Sequence, residues 1–163
     1  MNKFTYGNSL TIIRGMPGSG KSTLGRRLAA ESGALFVEPD MFCIHQGEYR
    51  WSVNRYEEAV KKALFFIRKA GCDVVYADVL PKKMDVVRVI DSFYFCECDR
   101  IRRNDCRIIA LMTSLEESIA KNCHHVNEAD IRRMWQEWEE IPVEEKTNVS
   151  EFLFYEPIGG GRQ

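Results

Sequence analysis

The sequence lacks an excess of charge of either sign, and it lacks any long hydrophobic run. Its 163 residues include 23 Lys and Arg against 24 Asp and Glu, which gives a formal net charge of −1. A chain with that charge has no global field that attracts nucleic acid, so any polynucleotide contact must come from local patches. No apolar stretch approaches membrane-spanning length, and the N-terminus has no signal-peptide core. We therefore expect a cytoplasmic protein without a membrane partner.

The six cysteines lack the spacing of a disulfide scaffold or of a zinc site. The chain is longer and more regular than small disulfide-bonded folds, so we expect reduced thiols. The groups nearest to a metal-ligand set match no zinc pattern: Cys96-x-Cys98, Cys106 and Cys123-His124-His125. Cys106 also opens an apolar run, which predicts that it begins a buried strand.

Composition and length together predict one globular domain. The chain has 45% hydrophobic and 29% charged residues, as ordinary folded domains do, and it is long enough to bury a core. It contains no internal repeat. We predict a single domain over residues 1–158, followed by a flexible tail, GGGRQ, at 159–163.

The stretch with the strongest signal reads GMPGSGKS and runs from Gly15 to Ser22. It fits the pattern G-x-x-x-x-G-K-[S/T], in which backbone N–H groups and a helix N-terminus hold phosphate oxygens. Lys21 is then expected to reach the β- and γ-phosphates of a nucleotide, while the Ser22 hydroxyl contacts Mg²⁺. The predicted nucleotide contacts are Gly15, Pro17, Gly18, Ser19, Gly20, Lys21, Ser22 and Thr23.

The residues on both sides of this loop have the pattern that a phosphate-binding loop requires. A compact β-type run at 9–13 precedes it, and the helical pattern that follows places Leu24 and Leu28 on one face. Strand, loop and helix occur in the required order. We therefore interpret the stretch as a P-loop rather than as a chance glycine-rich turn.

Short apolar runs alternate with helical patterns along the rest of the chain. Strands are predicted at 34–37, 74–77 and 106–111, with 152–155 as a final strand or a packed tail. Helices are predicted after Ser52, from Pro81, at 114–121 and from Asn127 to Ile141. This alternation predicts a three-layer α/β P-loop NTPase fold, with a mostly parallel central sheet of four to five strands and helices on both faces.

Two acidic residues stand at predicted strand ends, where parallel sheets bind their ligands. Asp40 follows the second strand and Asp78 follows the third. We assign Asp40 to the activation of an acceptor hydroxyl, with a strand-end turn residue as the alternative. We assign Asp78 to Mg²⁺, with a helix cap before Pro81 as the alternative.

Motifs that are absent narrow the class of nucleotide-binding protein. Val79 rather than Glu follows Asp78, so the group that activates water in motor-type ATPases is missing. There is no N-K-x-D segment for reading guanine, and no room for the lids of a large ATPase. A small ATP-dependent kinase remains, and such an enzyme needs cations close to the transferred phosphoryl group.

Several cationic side chains are candidates for that task. Lys121 is preferred as a catalytic lid residue because it directly precedes a polar turn. His124, His125, Arg132 and Arg133 either add to the lid or belong to a solvated helix surface.

Other polar groups are candidates for binding an acceptor. The stretch Tyr49-Arg50-Trp51 can clamp a base or a phosphate, or it can pack as an ordinary loop. A second positive group near Asp78 consists of Lys82, Lys83 and Arg88. We expect a third, Arg100, Arg102 and Arg103, to lie in a solvated loop.

A set of motifs from Leu10 to about Glu140 follows the order found in a known family. It consists of GMPGSGKST, Asp40, Gly47-x-Tyr49-x-Trp51, Asp78, Asn122-x-His124 with Val126, Ile131-x-x-Met134 and Trp138-Glu139. With these motifs the sequence resembles the P-loop kinases that include phage polynucleotide 5′-kinase. The same family contains the kinase-like domains of Nedd-type ubiquitin-ligase-binding proteins.

The resemblance implies that Asp40 activates a 5′-hydroxyl, as the Asp at its position does in the polynucleotide kinases. Two features depart from the phage enzyme. An Arg that holds the substrate phosphate there is replaced by Cys43, and the lid is shorter, with Lys121 and His125. The resemblance therefore supports ATP as the phosphoryl donor more strongly than it supports a polynucleotide as the acceptor.

Three functions stay open from the sequence. The favoured one transfers the γ-phosphoryl group of ATP to a nucleic-acid 5′-hydroxyl or to a nucleoside-like molecule. The near-neutral charge and the missing Arg at the position of Cys43 favour a small-metabolite kinase as the alternative. The third is a non-catalytic ATP-binding protein that regulates or binds a partner.

Overall fold

The computed structural model describes residues 9–45, 48–49, 60–65, 67, 70–93, 106–122, 126–141 and 151–155. Residues 60–65 are helical. The other elements, in chain order, are β1 (Leu10–Gly15), α1 (Lys21–Ser32), β2 (Leu35–Val37), a 3₁₀ helix (Pro39–Cys43), β3 (Ile44–His45), β4 (Glu48–Tyr49), β5 (Val74–Asp78), α2 (Lys83–Phe93), β6 (Cys106–Leu111), α3 (Leu115–Ala120), α4 (Glu128–Gln136) and β7 (Glu151–Tyr155).

Five strands form one sheet in the order β2-β5-β1-β6-β7, and every pairing in it is parallel. The strand β1 lies in the centre, between β5 and β6. The prediction of a parallel sheet of four to five strands is confirmed. The open choice at 152–155 is resolved as a strand, because β7 pairs with β6 along its whole length.

Two short strands follow the second strand of the main sheet and were not among the predicted strands. The strands β3 and β4 pair antiparallel and form a separate two-stranded sheet. The 3₁₀ helix precedes them. Ile44 pairs with Tyr49, and both residue types favour extended backbone.

Apolar cores cover both faces of the sheet. Leu10 and Ile12 of β1 pack in a core that includes Phe93 of α2. Ile13 belongs to a second core, against which Leu24 and Leu28 of α1 pack. Alternate residues of a strand point to opposite faces, so these contacts place helices on both sides of the sheet. The predicted three-layer α/β architecture is confirmed.

Two helix ends have caps that are typical of their residue types. The helix α1 ends at Ser32, and Gly33 follows with a φ of 73°. The helix α4 begins after Asn127, whose side chain accepts a hydrogen bond from the Ala129 N–H at 2.9 Å. Both caps are local signals that can be read from neighbouring residues.

Two helix ends differ from the prediction. The helix α2 begins at Lys83 rather than at Pro81. The helix α4 ends at Gln136 rather than at Ile141, and Trp135 near its end is 37% exposed. The N–H of Glu139 donates to the Pro81 carbonyl at 2.9 Å, so both residues, which were predicted to be helical, pair with each other instead.

Several predictions lie outside the described residues. They concern the domain limit at 158, the tail at 159–163, the cap at Ser52, the cysteines at 96, 98 and 123, and the basic groups at 100–103 and 124–125. In the part of the chain that the structure describes, no helix has both the length and the apolar character needed to cross a bilayer.

Cys106 is fully buried at the start of β6, as predicted, and burial raises the pKa of its thiol to about 12. Among the described residues, no cluster of three or more His, Cys, Asp or Glu side chains has the arrangement of a metal site. Because the thiolate is the reactive form, we expect thiol reagents near neutral pH to spare Cys106 and to modify the half-buried Cys72. Peptide mapping after labelling of the native protein measures this. Equal labelling of the two thiols would contradict it, and denatured protein provides the control.

Candidate functional site

The loop between β1 and α1 directs the N-terminus of a helix into solvent without a side-chain cap. Gly20, the N-cap residue of α1, has a φ of 91°, and no side chain of the helix start accepts its N–H groups. The first turn of α1 also contains no acidic residue. The backbone N–H groups and the positive end of the helix dipole therefore favour a bound anion. This donor set fits a phosphate group.

The helix α3 supports the loop from behind. Ser118 is fully buried, and its Oγ donates to the Pro17 carbonyl at 2.6 Å. Gly18 has a φ of 74°, and a Cβ at this position would lie 2.8 Å from the Lys121 carbonyl oxygen. A side chain at Gly18 would strain the backbone and collide with Lys121. The shape of the loop thus depends on contacts with residues far along the chain.

Most of the predicted nucleotide contacts line one open cleft of about 1600 Å³. These residues are Pro17, Gly18, Gly20, Lys21, Ser22 and Thr23. Gly15 and Ser19 are buried and do not line the cleft. The Ser19 N–H donates to the Met16 carbonyl at 3.1 Å, which closes a turn inside the loop. The buried Ser19 hydroxyl has no hydrogen-bond partner among the described residues.

Lys21 and Ser22 make polar contacts at the mouth of the loop. The Lys21 ammonium donates to the Met16 carbonyl at 2.9 Å. The Ser22 Oγ donates to a carboxylate oxygen of Glu38. The Glu38 side chain is 12% exposed, and its other oxygen lies 3.4 Å from the Arg26 guanidinium. Glu38 belongs to no sequence motif, and its position directly after β2 is its one sequence signal.

The two predicted acidic residues both line this cleft. Asp40 lies in the first turn of the 3₁₀ helix that follows β2, and Asp78 ends β5. The Asp78 carboxylate accepts hydrogen bonds from the Val79 N–H at 2.7 Å and from the Tyr76 hydroxyl at 3.3 Å. At the start of α2 it is Asp85, not Asp78, that accepts the Lys82 N–H. The helix-cap alternative for Asp78 was therefore wrong.

The cationic candidates separate into cleft residues and surface residues. Lys121 and Arg133 line the cleft, and Arg133 also contacts Asp130 at 3.0 Å. Arg132 does not line the cleft. It pairs with Glu128 at 2.6 Å on the exposed face of α4. Lys121 and Arg133 thus remain candidates for contact with a ligand in the cleft, whereas Arg132 lies on the solvated surface.

The cleft continues along α2, where its charges are mixed. Arg88 lines this part and lies 3.7 Å from Asp85. Asp91 and the half-exposed ring of Phe65 line it as well. Lys82 and Lys83 are not cleft residues. The predicted clamp at 49–51 and the two histidines fall on residues whose side chains lie outside the described part.

Curated proteins match this chain in part only, and one of these partial relatives can be described. The chain is 45% identical over 62 residues to an uncharacterized protein of Pasteurella multocida (strain Pm70). The match covers 34% of this chain, and it spans about a third of the relative, 35% of its length. No family model matches the sequence.

Solved structures align with a much larger share of this chain. A gluconokinase from Sinorhizobium meliloti 1021 aligns with a TM-score of 0.62 at 14% identity, over 95% of this chain and 85% of that chain. A chain of the Pnkp1/Rnl/Hen1 RNA repair complex aligns with a TM-score of 0.64 at 18% identity, over 83% of this chain and 45% of that one. Kti12 from Chaetomium thermophilum, in complex with ADP-AlF3, has a TM-score of 0.59 at 16% identity, with coverages of 90% and 88%. Likeness at these identities establishes a shared fold.

Proposed function

We propose that this chain, whose fold is that of the P-loop kinases, transfers the γ-phosphoryl group of ATP to a hydroxyl of an acceptor. The observation that carries the proposal is the shared cleft, in which Lys21 and Ser22 of the loop lie together with Asp40 and Lys121. A loop that binds phosphate, a carboxylate and a lid cation are the parts that phosphoryl transfer to an alcohol requires.

The loop is assigned to the triphosphate. Backbone N–H groups at the start of α1 would hold the phosphate oxygens, and the Lys21 ammonium would exchange the Met16 carbonyl for the β- and γ-phosphates. Lys121, at the lid, would add positive charge beside the transferred group. These donors would stabilise the negative charge that the phosphoryl group and the leaving ADP carry in the transition state.

Oxygen ligands suited to Mg²⁺ surround the loop. Ser22, Glu38 and Asp78 all line the cleft and offer hydroxyl and carboxylate oxygens, which this hard cation prefers. When bound, Mg²⁺ neutralises negative charge on the β- and γ-phosphate oxygens. The contact between Ser22 and Glu38 supports a role for Glu38 in holding the Ser22 hydroxyl at this position.

Asp40 is assigned to the acceptor. Its carboxylate would accept the proton of the attacking hydroxyl while the new bond from that oxygen to the γ-phosphorus forms. The bond between the γ-phosphorus and the bridging oxygen breaks in the same step, and ADP leaves. The position of Asp40 after the strand next to β5, on the cleft, supports this assignment.

The sequence motifs favour a nucleic-acid 5′-hydroxyl or a nucleoside-like molecule as the acceptor. The fold shared with a chain of an RNA repair complex supports it. A small metabolite is the second candidate, and the fold shared with a gluconokinase supports that choice equally. The mixed charges along α2, with Asp85 and Asp91 beside Arg88, favour the second candidate because carboxylates repel the phosphates of a polynucleotide.

A panel of acceptors tests the proposal. The purified chain is incubated with Mg²⁺, ATP labelled at the γ-phosphate, and either 5′-hydroxyl oligonucleotides, nucleosides, or sugars and other small alcohols. Label on one acceptor class identifies the substrate. Label that stays on ATP with every acceptor, although ATP binds, would favour the non-catalytic regulatory function.

Replacing Glu38 by Gln tests the Mg²⁺ assignment. We expect the Mg²⁺ concentration for half-maximal transfer to rise by about 10- to 100-fold, as for residues that orient a metal ligand. ATP affinity without Mg²⁺ should stay unchanged. The control is Glu31→Gln, on the exposed part of α1. An unaltered Mg²⁺ dependence in Glu38→Gln would contradict the assignment.

A further inference from the structure

One charged side chain is buried in the core next to the phosphate-binding loop. Arg14, in β1 directly before Gly15, is 1% exposed. Burial lowers the pKa of its guanidinium to about 10, although the carboxylates of Asp85 and Glu139 act in the opposite direction. Burying a cation is costly unless it makes specific contacts. The contacts of Arg14 therefore indicate what the residue does.

Arg14 joins two segments that are far apart in the sequence. Its Nη2 donates to the Pro81 carbonyl at 2.8 Å, and its Nη1 donates to the Glu139 carbonyl at 3.0 Å. The guanidinium also lies over the ring of Trp138, 4.1 Å from the ring centre. A planar fork of donors suits such a double contact better than an ammonium does.

The Pro81 segment carries backbone strain. Leu80 has a φ of 45°, the left-handed region that side chains rarely adopt, and among the described residues it is the one non-glycine residue with a positive φ. Val79, Leu80 and Pro81 line the cleft directly after Asp78. Such strain persists only where neighbouring contacts impose it, and it occurs often at functional sites.

Three contacts hold this turn against the segment that follows α4. The Pro81 carbonyl accepts the Glu139 N–H at 2.9 Å in addition to the Arg14 guanidinium. The Glu139 carboxylate accepts the Lys83 N–H at 2.8 Å. The helix α4 itself lines the cleft through Asp130, Arg133 and Met134. Arg14 therefore contacts both the segment that follows α4 and the turn that follows Asp78.

We propose that Arg14 is a positioning residue, which holds the strained 79–81 turn in place and couples it to the lid helix α4. The inference rests on the proposed function, since it assigns this turn to the acceptor side of the kinase cleft. Arg14 points to the face of the sheet away from α1, as Leu10 and Ile12 do, and its contacts involve no nucleotide-binding side chain. Loss of this coupling should therefore lower kcat/KM for the acceptor more than it weakens ATP binding.

The variant Arg14→Met tests this separation. We expect kcat/KM for the best acceptor of the panel to fall by about 100-fold, because small displacements of a positioning element have effects of this size. The dissociation constant for ATP, measured by titration, should change by less than about threefold. The matched control is Arg27→Met on the exposed surface of α1, which should alter neither quantity. A purely structural role for Arg14 would change both quantities together.

Hydrogen exchange tests the coupling without relying on catalysis. In Arg14→Met, amide exchange should increase at residues 79–83 and at 137–141, because the contacts that join these segments are lost, and it should stay unchanged in α1. If wild-type protein transfers no phosphoryl group, the proposed function fails while this exchange experiment still decides the role of Arg14.

Trp138→Leu provides a second variant if Arg14→Met does not fold. It removes the ring under the guanidinium and leaves the two carbonyl contacts, so we expect a smaller loss in acceptor kcat/KM, about tenfold, with ATP affinity retained. Unchanged exchange at both segments in the folded variant, or equal losses in ATP and acceptor binding, would overturn the proposal.

Discussion

Lys21→Ala is expected to remove ATP-dependent transfer almost completely, with kcat/KM lowered by about 100- to 1000-fold. The reason is that the loop amides provide partial positive charges, whereas Lys21 provides a full one at the β- and γ-phosphates. Its ammonium already lies over the loop, 2.9 Å from the Met16 carbonyl. ATP affinity should fall as well, which titration with a fluorescent ATP analogue measures.

The matched control for this variant is Lys62→Ala. Lys62 is exposed in the helical residues 60–65 and does not line the cleft. The substitution Lys62→Ala removes one positive charge, as Lys21→Ala does, so any effect of net charge on ATP binding appears in both variants. Turnover by Lys21→Ala at the rate of the control would contradict the assignment of the loop to the triphosphate.

Asp40→Asn is expected to keep ATP binding and to lose transfer by about 100- to 10,000-fold. Asn retains the size of the side chain and can orient a hydroxyl, but it cannot take up the proton of the attacking group. The loss should fall on kcat, because the interaction is made in the transition state rather than in the bound ground state. Rapid-quench measurement of the first turnover gives this rate directly.

Glu116→Gln is the matched control for Asp40→Asn. Glu116 lies on the exposed surface of α3, and it does not line the cleft. The comparison separates a loss of the base from a general loss of negative charge. Full activity of Asp40→Asn would exclude Asp40 as the base, and a loss of ATP binding would instead indicate a role in folding the 3₁₀ helix.

The sheet and the phosphate-binding loop were predictable because their signals are local. A strand that helices cover on both faces has a short run of apolar residues, as in Cys106–Leu111. Such a run can be recognised in the sequence without knowing which strands lie beside it. The glycines of the loop and the caps at Gly33 and Asn127 are also signals within a few residues. These signals sufficed to predict the order of strands and helices.

Glu38 and Arg14 were not predictable because their roles depend on distant partners. Glu38 meets Ser22 from 16 positions away, and no spacing rule links a carboxylate after one strand to a hydroxyl after another. Arg14 meets Glu139 from 125 positions away. The segment after Gln136, where α4 ends, makes tertiary contacts of this kind, and such contacts override the local periodicity that predicted a helix to Ile141.

The fate of the γ-phosphate of ATP tests the central claim most directly. In a single turnover with Mg²⁺ and the best acceptor of the panel, the label should move from ATP to the acceptor hydroxyl, and Asp40→Asn should abolish this transfer while ATP remains bound. Release of the label as inorganic phosphate at the same rate with and without acceptor would contradict the account, because water would then be the attacking group.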